Sequence, residues 1–99
     1  MDDSLTHETF SRYANTKFRV QVEAAEPVEL ELAEVSELML SPGQEQFNVI
    51  FRGPNEVFLE QGLRNFEHDQ MGQFEIFLVP ISQDQQGSCY EAVFNRVRE

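Results

Sequence analysis

The residues best suited to chemistry in this 99-residue sequence are a short titratable run, Glu67-His68-Asp69, just before a turn at Gly72. General acid–base catalysis needs such a group held close to a partner. Neighbouring residues of a strand point to opposite faces, so His68 cannot share one pocket with both carboxylates. We therefore expect a turn-capping or surface role for His68 rather than a catalytic one.

Metal, covalent and nucleotide chemistry lack their usual sequence patterns. The chain has one cysteine, Cys89, and two histidines, His7 and His68, with none of the paired spacings that are typical of zinc sites. Cys89 begins an apolar strand in an acidic protein, which favours a small core or strand-edge role over a nucleophile. The serines lie in caps, turns or polar loops, and no nucleophile elbow or glycine-rich phosphate loop is present. The sequence predicts no enzymatic activity, no cofactor and no metal.

The charge of the chain is strongly acidic and unevenly distributed. Eighteen Asp and Glu against seven Lys and Arg give a net charge of -11, which argues against direct binding of nucleic acid or an anionic membrane. The segment from Val20 to Phe51 contains no Lys or Arg. The candidate interaction face consists of six of its glutamates: Glu23, Glu26, Glu29, Glu31, Glu34 and Glu37. They form either a solvated face that discourages edge pairing or a surface for a basic protein partner.

The nine phenylalanines raise the question of aromatic stacking on bases or sugars. Such binding normally accompanies a basic groove, which this sequence lacks. Most of the phenylalanines fall on one side of alternating strands, so we interpret them as core. Phe58 is the one that we expect to be exposed.

A short N-terminal helix precedes the strands that must position these side chains. Thr6 is a suitable cap for a helix predicted from about residue 7 to 14, with Phe10 and Tyr13 on one face and Asn15 at a left-handed end. Beyond it, apolar and polar residues alternate, which is typical of strands.

The strands are predicted from segments in which apolar and polar residues alternate, and from the turn residues that separate these segments. Strands are predicted over residues 17–22, 28–32, 47–52, 74–81 and 89–97, with shorter extended pieces at 57–59 and 63–67. A slip of parity after Leu32 indicates a bulge or a bend into a second sheet. Structural turns or turn caps are predicted at Gly53, Pro54, Gly62, His68, Gly72 and Asn95.

These elements predict a mainly β fold: a small antiparallel barrel or sandwich of about six to seven strands with a short N-terminal helix. The size favours a single domain over residues 1–99. The stretch from Phe74 to Ile81 is apolar on both faces, so it requires either closure into a barrel or self-association as a homo-oligomer.

The location predicted from the sequence is cytoplasmic. No apolar run approaches the length that spans a bilayer, and the start of the chain is acidic rather than basic. The lone Cys89 permits no internal disulfide.

Four stretches carry a resemblance to a known family: residues 47–54 (FNVIFRGP), 66–72 (FEHDQMG), 74–80 (FEIFLVP) and 90–95 (YEAVFN). Over nearly its whole length the chain resembles a bacterial family of uncharacterised small domains. Members of that family carry an F-x-x-x-F-R-G-P strand end, an F-L-V-P strand and a terminal Y-E-A-V-F-N. Arg64 stands where the family usually has an aromatic residue.

This resemblance implies no established activity. Members of the family resemble genomic neighbours of phage-tail-collar-type proteins, which implies by analogy a small structural or assembly component that binds another protein. His68 and Asn95 recur in the family pattern, and turn capping explains them as well as function does.

Three functional hypotheses remain open at this stage. The leading one is a non-enzymatic module that docks on a larger assembly through a sheet edge, with the candidate interaction face steering a basic partner. The second is an acidic inhibitor or nucleic-acid mimic that binds a basic protein. The third is a small-molecule binder with its pocket at the mouth of a barrel.

Overall fold

The computed structural model describes residues 5–23 and 26–97 as one helix and seven strands. Helix α1 spans His7–Arg12. The strands are β1 (Lys17–Val20), β2 (Val28–Val35), β3 (Met39–Ser41), β4 (Gln44–Gly53), β5 (Gly62–His68), β6 (Gly72–Asp84) and β7 (Gly87–Val97). None of the helices in these ranges is long and apolar enough to cross a membrane.

Six of the strands close into an antiparallel barrel, and β3 lies outside it. The strand order is β2-β1-β5-β6-β7-β4-β3, and an additional pairing of β2 with β4 closes the ring. The predicted mainly β fold with a short N-terminal helix is confirmed, and the alternative between barrel and sandwich is decided in favour of the barrel.

The barrel interior is filled by the inward residues of the alternating strands. In β6, for example, Phe74, Ile76 and Leu78 are buried while Phe77 between them is exposed. Six of the nine phenylalanines are buried: Phe10, Phe18, Phe47, Phe51, Phe66 and Phe74. Phe58 is exposed, as predicted.

Helix α1 covers one end of the barrel. The Thr6 hydroxyl accepts a hydrogen bond from the Thr9 N–H at 3.1 Å, which satisfies one of the unpaired donors of the first turn. The Phe10 ring then packs against Phe47 and Phe94, at centroid distances of 6.1 and 5.2 Å. The helix is shorter than predicted because Tyr13 already serves as its C-terminal cap.

Two connections differ from the predicted strands. Residues 57–59 form no strand, because Leu59 turns into the core at the other end of the barrel, where its N–H donates to the Tyr90 hydroxyl at 3.1 Å. Gly62 does not break the next strand but is its first residue, paired with Leu78. The predicted slip in β2 is confirmed as a register shift between Leu32 and Glu34.

Most of the residues predicted to form turns lie at the ends of strands or next to them. Gly53 ends β4, Pro54 follows it, and Gly72 begins β6 directly opposite His68. Gly72 has a φ of +80°, which favours glycine after a three-residue hairpin loop. The list of predicted turns is wrong at one position: Asn95 lies within β7, paired with Gln46, because β7 continues to Val97.

Candidate functional site

Strand β3 is the edge of the sheet and the least covered of the strands. It pairs with β4 alone, through Met39↔Gln46, Leu40↔Glu45 and Ser41↔Gln44. All three of its residues are exposed, with Met39 at 60% and Leu40 at 59%. The far side of β3 therefore presents backbone N–H and C=O groups that no strand of the described residues pairs with.

The sequence produces this edge through a tight hairpin. Pro42 and Gly43 join β3 to β4, and Gly43 has a φ of +78°. Proline followed by a glycine with positive φ is typical of a type II turn. The first residues of β4 also pair with the last residues of β7, as in Gln44↔Val97. The edge strand thus continues the sheet of β4 and β7.

The segment that leads into β3 is anchored by hydrogen bonds. The Ser36 N–H donates to the Asn48 carbonyl at 2.8 Å, and the Ser36 hydroxyl accepts from the Asn48 N–H at 2.8 Å. The His7 ring nitrogen Nε2 lies 2.8 Å from the Ser36 carbonyl oxygen. These contacts join α1, β4 and the β2–β3 connection, and they hold β3 in a defined position.

The glutamates of the candidate interaction face divide into two groups. Glu29 lies opposite Arg19, while Glu31 lies between Lys17 on β1 and Arg52 on β4. A surface depression of about 610 Å³ beside them is lined by Glu26, Glu29 and Glu31 together with Lys17 and Arg52. Along the first half of β2, the glutamates are therefore no longer separated from positive charge, because the fold brings Lys17 and Arg19 to one side and Arg52 to the other.

The remaining glutamates of this face lie elsewhere. Glu34 is exposed in β2 opposite Ile50, and Glu37 is exposed two residues before β3. Glu23 is exposed just before residues 24–25, which lie outside the described ranges. The acidic character thus persists on the approach to the edge strand.

His68 is inside the barrel rather than on its surface, with 4% of its area exposed. Its Nδ1 accepts hydrogen bonds from the N–H groups of Gln70 and Met71 at 3.1 and 3.2 Å. Its Nε2 lies 3.0 Å from the Thr16 hydroxyl, which donates to the Tyr13 carbonyl at 2.6 Å. These partners assign the neutral imidazole with a proton on Nε2, and burial lowers the pKa of His68.

The two carboxylates beside His68 point outward and share one cation. Arg19 donates to Glu67 at 3.0 Å and to Asp69 at 2.9 Å. The hydrogen bond from Arg19 lowers the pKa of the Glu67 carboxyl. The Glu67-His68-Asp69 run therefore does not form one pocket: the imidazole caps a turn inside the barrel, and the carboxylates form ion pairs outside it.

The other candidates for chemistry also occupy structural positions. Cys89 is half-buried in β7, opposite Arg52. Ser88 is buried and donates to the Asn55 side chain at 3.1 Å. In residues 5–23 and 26–97, no three His, Cys, Asp or Glu side chains are grouped so that they could hold a metal ion.

The edge strand was not singled out from the sequence. Three residues are too few to show an alternating pattern. In the sequence, Leu40 was one of the residues after Leu32 at which the alternation of β2 is lost, and it was not assigned to a strand of its own. The available signal was an apolar Met39-Leu40 pair directly before a Pro-Gly turn, which is typical of a short hairpin arm.

One comparison with known proteins gives a match. A family model described as "Domain of unknown function (DUF6916)" matches residues 5–94. No curated protein and no solved structure matches the chain. This match confirms the expected similarity to a family of uncharacterised domains.

Proposed function

We propose a docking function for this chain, which belongs to the family of domains of unknown function DUF6916. In this proposal the protein is a non-enzymatic module that binds an extended segment of a basic protein partner by adding it as a strand to β3. The observation that carries the proposal is the position of β3 outside the closed barrel, paired on one side only.

The backbone of β3 supplies the affinity in this mode of binding. An extended segment that pairs with an open edge gains main-chain hydrogen bonds, and its alternate side chains contact the surface beside the edge. Natural edge strands are commonly protected by being short or by lysine, proline or a bulge, and β3, with three residues, has only the first of these protections. Within β3, the sequence Met39-Leu40-Ser41 contains neither lysine nor proline.

The charge near the edge favours a basic partner. Glu34 and Glu37 are exposed on the approach to β3, and the net charge of the chain is -11. A negative field of this kind increases the association rate of a cationic segment and disfavours an acidic one. Strand pairing then supplies the contacts that hold the segment.

The other hypotheses receive less support from the geometry. A nucleic-acid mimic needs carboxylates over a continuous face, whereas Glu29 and Glu31 lie among Arg19, Lys17 and Arg52. A binder at the barrel mouth needs an open end, whereas Phe10 and Leu59 are buried at the two ends. The resemblance to neighbours of phage-tail-collar-type proteins suggests an assembly as the setting for docking through an edge.

A binding experiment with two matched peptides tests the proposal. The first is a short peptide in which lysine and valine alternate, and the second has the same sequence with its edge-pairing amides N-methylated. We expect calorimetry to detect the first and not the second, because N-methylation removes the donors that pair with β3. Leu40→Lys should weaken binding at least about tenfold, equivalent to about 1.4 kcal/mol.

The matched control is Leu63→Lys, which makes the same change at an exposed residue of β5. Leu63→Lys should leave peptide affinity unchanged. Equal binding of the methylated and unmethylated peptides would refute strand addition. Loss of binding in Glu29→Lys with full binding in Leu40→Lys would instead favour the mimic.

A further inference from the structure

One buried imidazole holds together the end of the barrel that α1 covers. His68 is the last residue of β5, and its ring packs against Tyr13 at the end of α1 and Phe18 on β1, at centroid distances of 4.8 and 4.3 Å. The next residues, Asp69 to Met71, form the turn into β6. His68 therefore lies where the helix, the first strand and this turn meet.

Both ring nitrogens have partners that fit only the neutral imidazole. Nδ1 accepts hydrogen bonds from the N–H groups of Gln70 and Met71, at 3.1 and 3.2 Å. Nε2 donates to the Thr16 hydroxyl at 3.0 Å, because that hydroxyl donates its own proton to the Tyr13 carbonyl. A second proton would lie on Nδ1 and point at two N–H donors. Protonation of the ring in place therefore breaks both bonds to the turn and leaves these donors unpaired.

The charged groups around the ring do not offset this loss. Burial is the main cause that lowers the pKa of His68; among the nearby charges, Asp69 raises it and Arg19 lowers it. Arg19 donates to Asp69 at 2.9 Å and to Glu67 at 3.0 Å, so both carboxylates are already paired outside the barrel. Within residues 5–23 and 26–97, no carboxylate accepts a hydrogen bond from the His68 ring. The closed end of the barrel thus favours the neutral ring.

The helix and β6 bring no further charge to the ring. Glu8 and Arg12 of α1 are exposed and pair with each other at 3.3 Å. Tyr13, at the helix end, faces His68 with a neutral phenol side chain. On β6, Gly72 lies opposite His68 and contributes no ionisable group. The charge state of this end therefore depends on His68 itself.

Helix α1 is attached to the barrel by few contacts. It spans six residues, and Phe10 is its buried residue. The His7 Nε2 lies 2.8 Å from the Ser36 carbonyl oxygen, and just after the helix the Asn15 N–H donates to the Leu32 carbonyl at 2.7 Å. By contrast, every residue of β4 pairs with β7. Release of the helix leaves the strands paired, and local openings of this kind cost less than global unfolding.

We propose that the end of the barrel covered by α1 is a pH-sensitive switch, in which protonation of His68 releases α1 and the turn at 69–71 while the strands stay paired. The released imidazolium is hydrated and no longer faces the N–H groups of the turn. Since the ring no longer contacts the end of α1, the helix loses part of its attachment there. Its release exposes Phe10 and the Phe47 and Phe74 rings that pack on it.

The switch goes beyond docking at β3 and does not depend on it. Ser36, which leads towards β3, keeps two hydrogen bonds with Asn48 when α1 is released. The edge strand therefore stays in place in the opened form. Peptide binding at β3 and opening at acid pH are separate measurements, so one can fail while the other succeeds.

Hydrogen exchange of the full chain, followed by NMR between about pH 7.5 and 5.5, tests the switch. The released ring should take up its proton near pH 6.5, whereas burial keeps the pKa of the closed ring lower. Between these two values, the opening equilibrium should rise by up to about tenfold per pH unit. We therefore expect protection of the Phe10, Tyr13 and Gln70 amides to fall by this factor below pH 6.5. It should stay lower than that of the amides that join β4 and β7 at every pH.

Two variants and one measurement on the wild type complete the test. His68→Gln should abolish the fall in protection, and the matched control His7→Gln, which retains His68, should show it. Circular dichroism reports whether each variant is folded. An NMR titration of the His68 ring in the wild type needs no variant and should give a pKa below 6.5.

Four results would overturn the proposal. Protection in α1 equal to that of β4 and β7 at every pH would show that this end opens only with the whole barrel. Protection in α1 that does not change with pH would remove the link to a titrating group. A fall that persists in folded His68→Gln would assign it to another residue. A His68 ring that titrates at or above about 6.5 would show that the closed end does not disfavour the imidazolium.

Discussion

The imidazole Nε2 of His68 lies 3.0 Å from the hydroxyl of Thr16, and this contact links β5 to the start of β1 across 52 positions of sequence. Because His68 Nδ1 also accepts two backbone N–H bonds, a proton cannot be added to the ring without losing them. His68 is thus a buried neutral group that joins a turn to the helix-capped end of the barrel.

The first prediction concerns pH. Burial lowers the pKa of His68, while in the unfolded chain it should be near 6.5. As the pH falls below 6.5, the unfolded state binds the proton first, so the free energy of unfolding should fall by up to about 1.4 kcal/mol per pH unit. Urea unfolding between about pH 7.5 and 5.5 measures this slope.

Two variants assign the slope to one histidine. In His68→Gln, the free energy of unfolding should no longer fall with pH in this range. In His7→Gln, which retains His68, the slope should be the same as in the wild type. An unchanged slope in His68→Gln would show that another group is responsible.

The second prediction concerns the closed end of the barrel. Tyr90→Phe removes the hydroxyl that accepts the Leu59 N–H and leaves a buried donor without a partner. We expect a loss of about 1–3 kcal/mol in the free energy of unfolding, with faster hydrogen exchange at the Leu59 amide. Tyr13→Phe is the control, because Tyr13 is half-buried and its hydroxyl makes no hydrogen bond among the described residues. A similar loss in Tyr13→Phe would contradict the explanation.

The third prediction concerns a close approach of two backbones. A Cβ atom on Gly87 would lie about 2.5 Å from the Gly53 carbonyl oxygen, and the φ of Gly87 is +146°. Backbone cannot move aside as a flexible side chain can, so Gly87→Ala should destabilise the fold by more than about 2 kcal/mol. Gln83→Ala, at an exposed position of the same hairpin, should change the thermal midpoint little. A Gly87→Ala protein with the wild-type midpoint would disprove the contact.

The fourth prediction concerns the outward ion pairs. Arg19→Met should raise the pKa of Glu67 towards its ordinary value, because Arg19 is the main cause of its lowering. The cost in stability should be small, since these groups are near the surface and screened by salt. An NMR titration of Glu67 measures the first effect, and an unmoved pKa would contradict the hydrogen bond. Arg12→Met, which removes the exposed pair with Glu8, is the control.

Local pattern predicted much of this fold. The alternation in residues 47–52 and 74–81 correctly separated the two faces of each strand, since side-chain direction along a strand has a period of two. In residues 74–81 both faces are apolar, so the alternation did not show that Phe74, Ile76 and Leu78 are the ones that face the core. The same rule explains where His68 points, because it shares parity with buried Phe66. Its burial was still missed, since turn residues at strand ends are usually exposed.

Pairing between distant strands could not be predicted in the same way. Barrel closure depends on β2 meeting β4, and the position of Glu31 between two basic residues depends on Lys17 and Arg52 arriving from either side. Neither relationship has a local signal. The candidate acidic face was therefore too large, and the three-residue β3 was not identified as a separate strand.

The central claim is that an extended basic segment pairs with β3. The most direct measurement is an amide NMR titration of the protein with the lysine–valine peptide, with its N-methylated form as the control. We predict that the largest shifts, and new protection from hydrogen exchange, occur at Met39–Ser41 and at the neighbouring residues Gln44 to Gln46. Shifts centred on Glu29 and Glu31, with β3 amides that exchange as fast as in the free protein, would contradict the account.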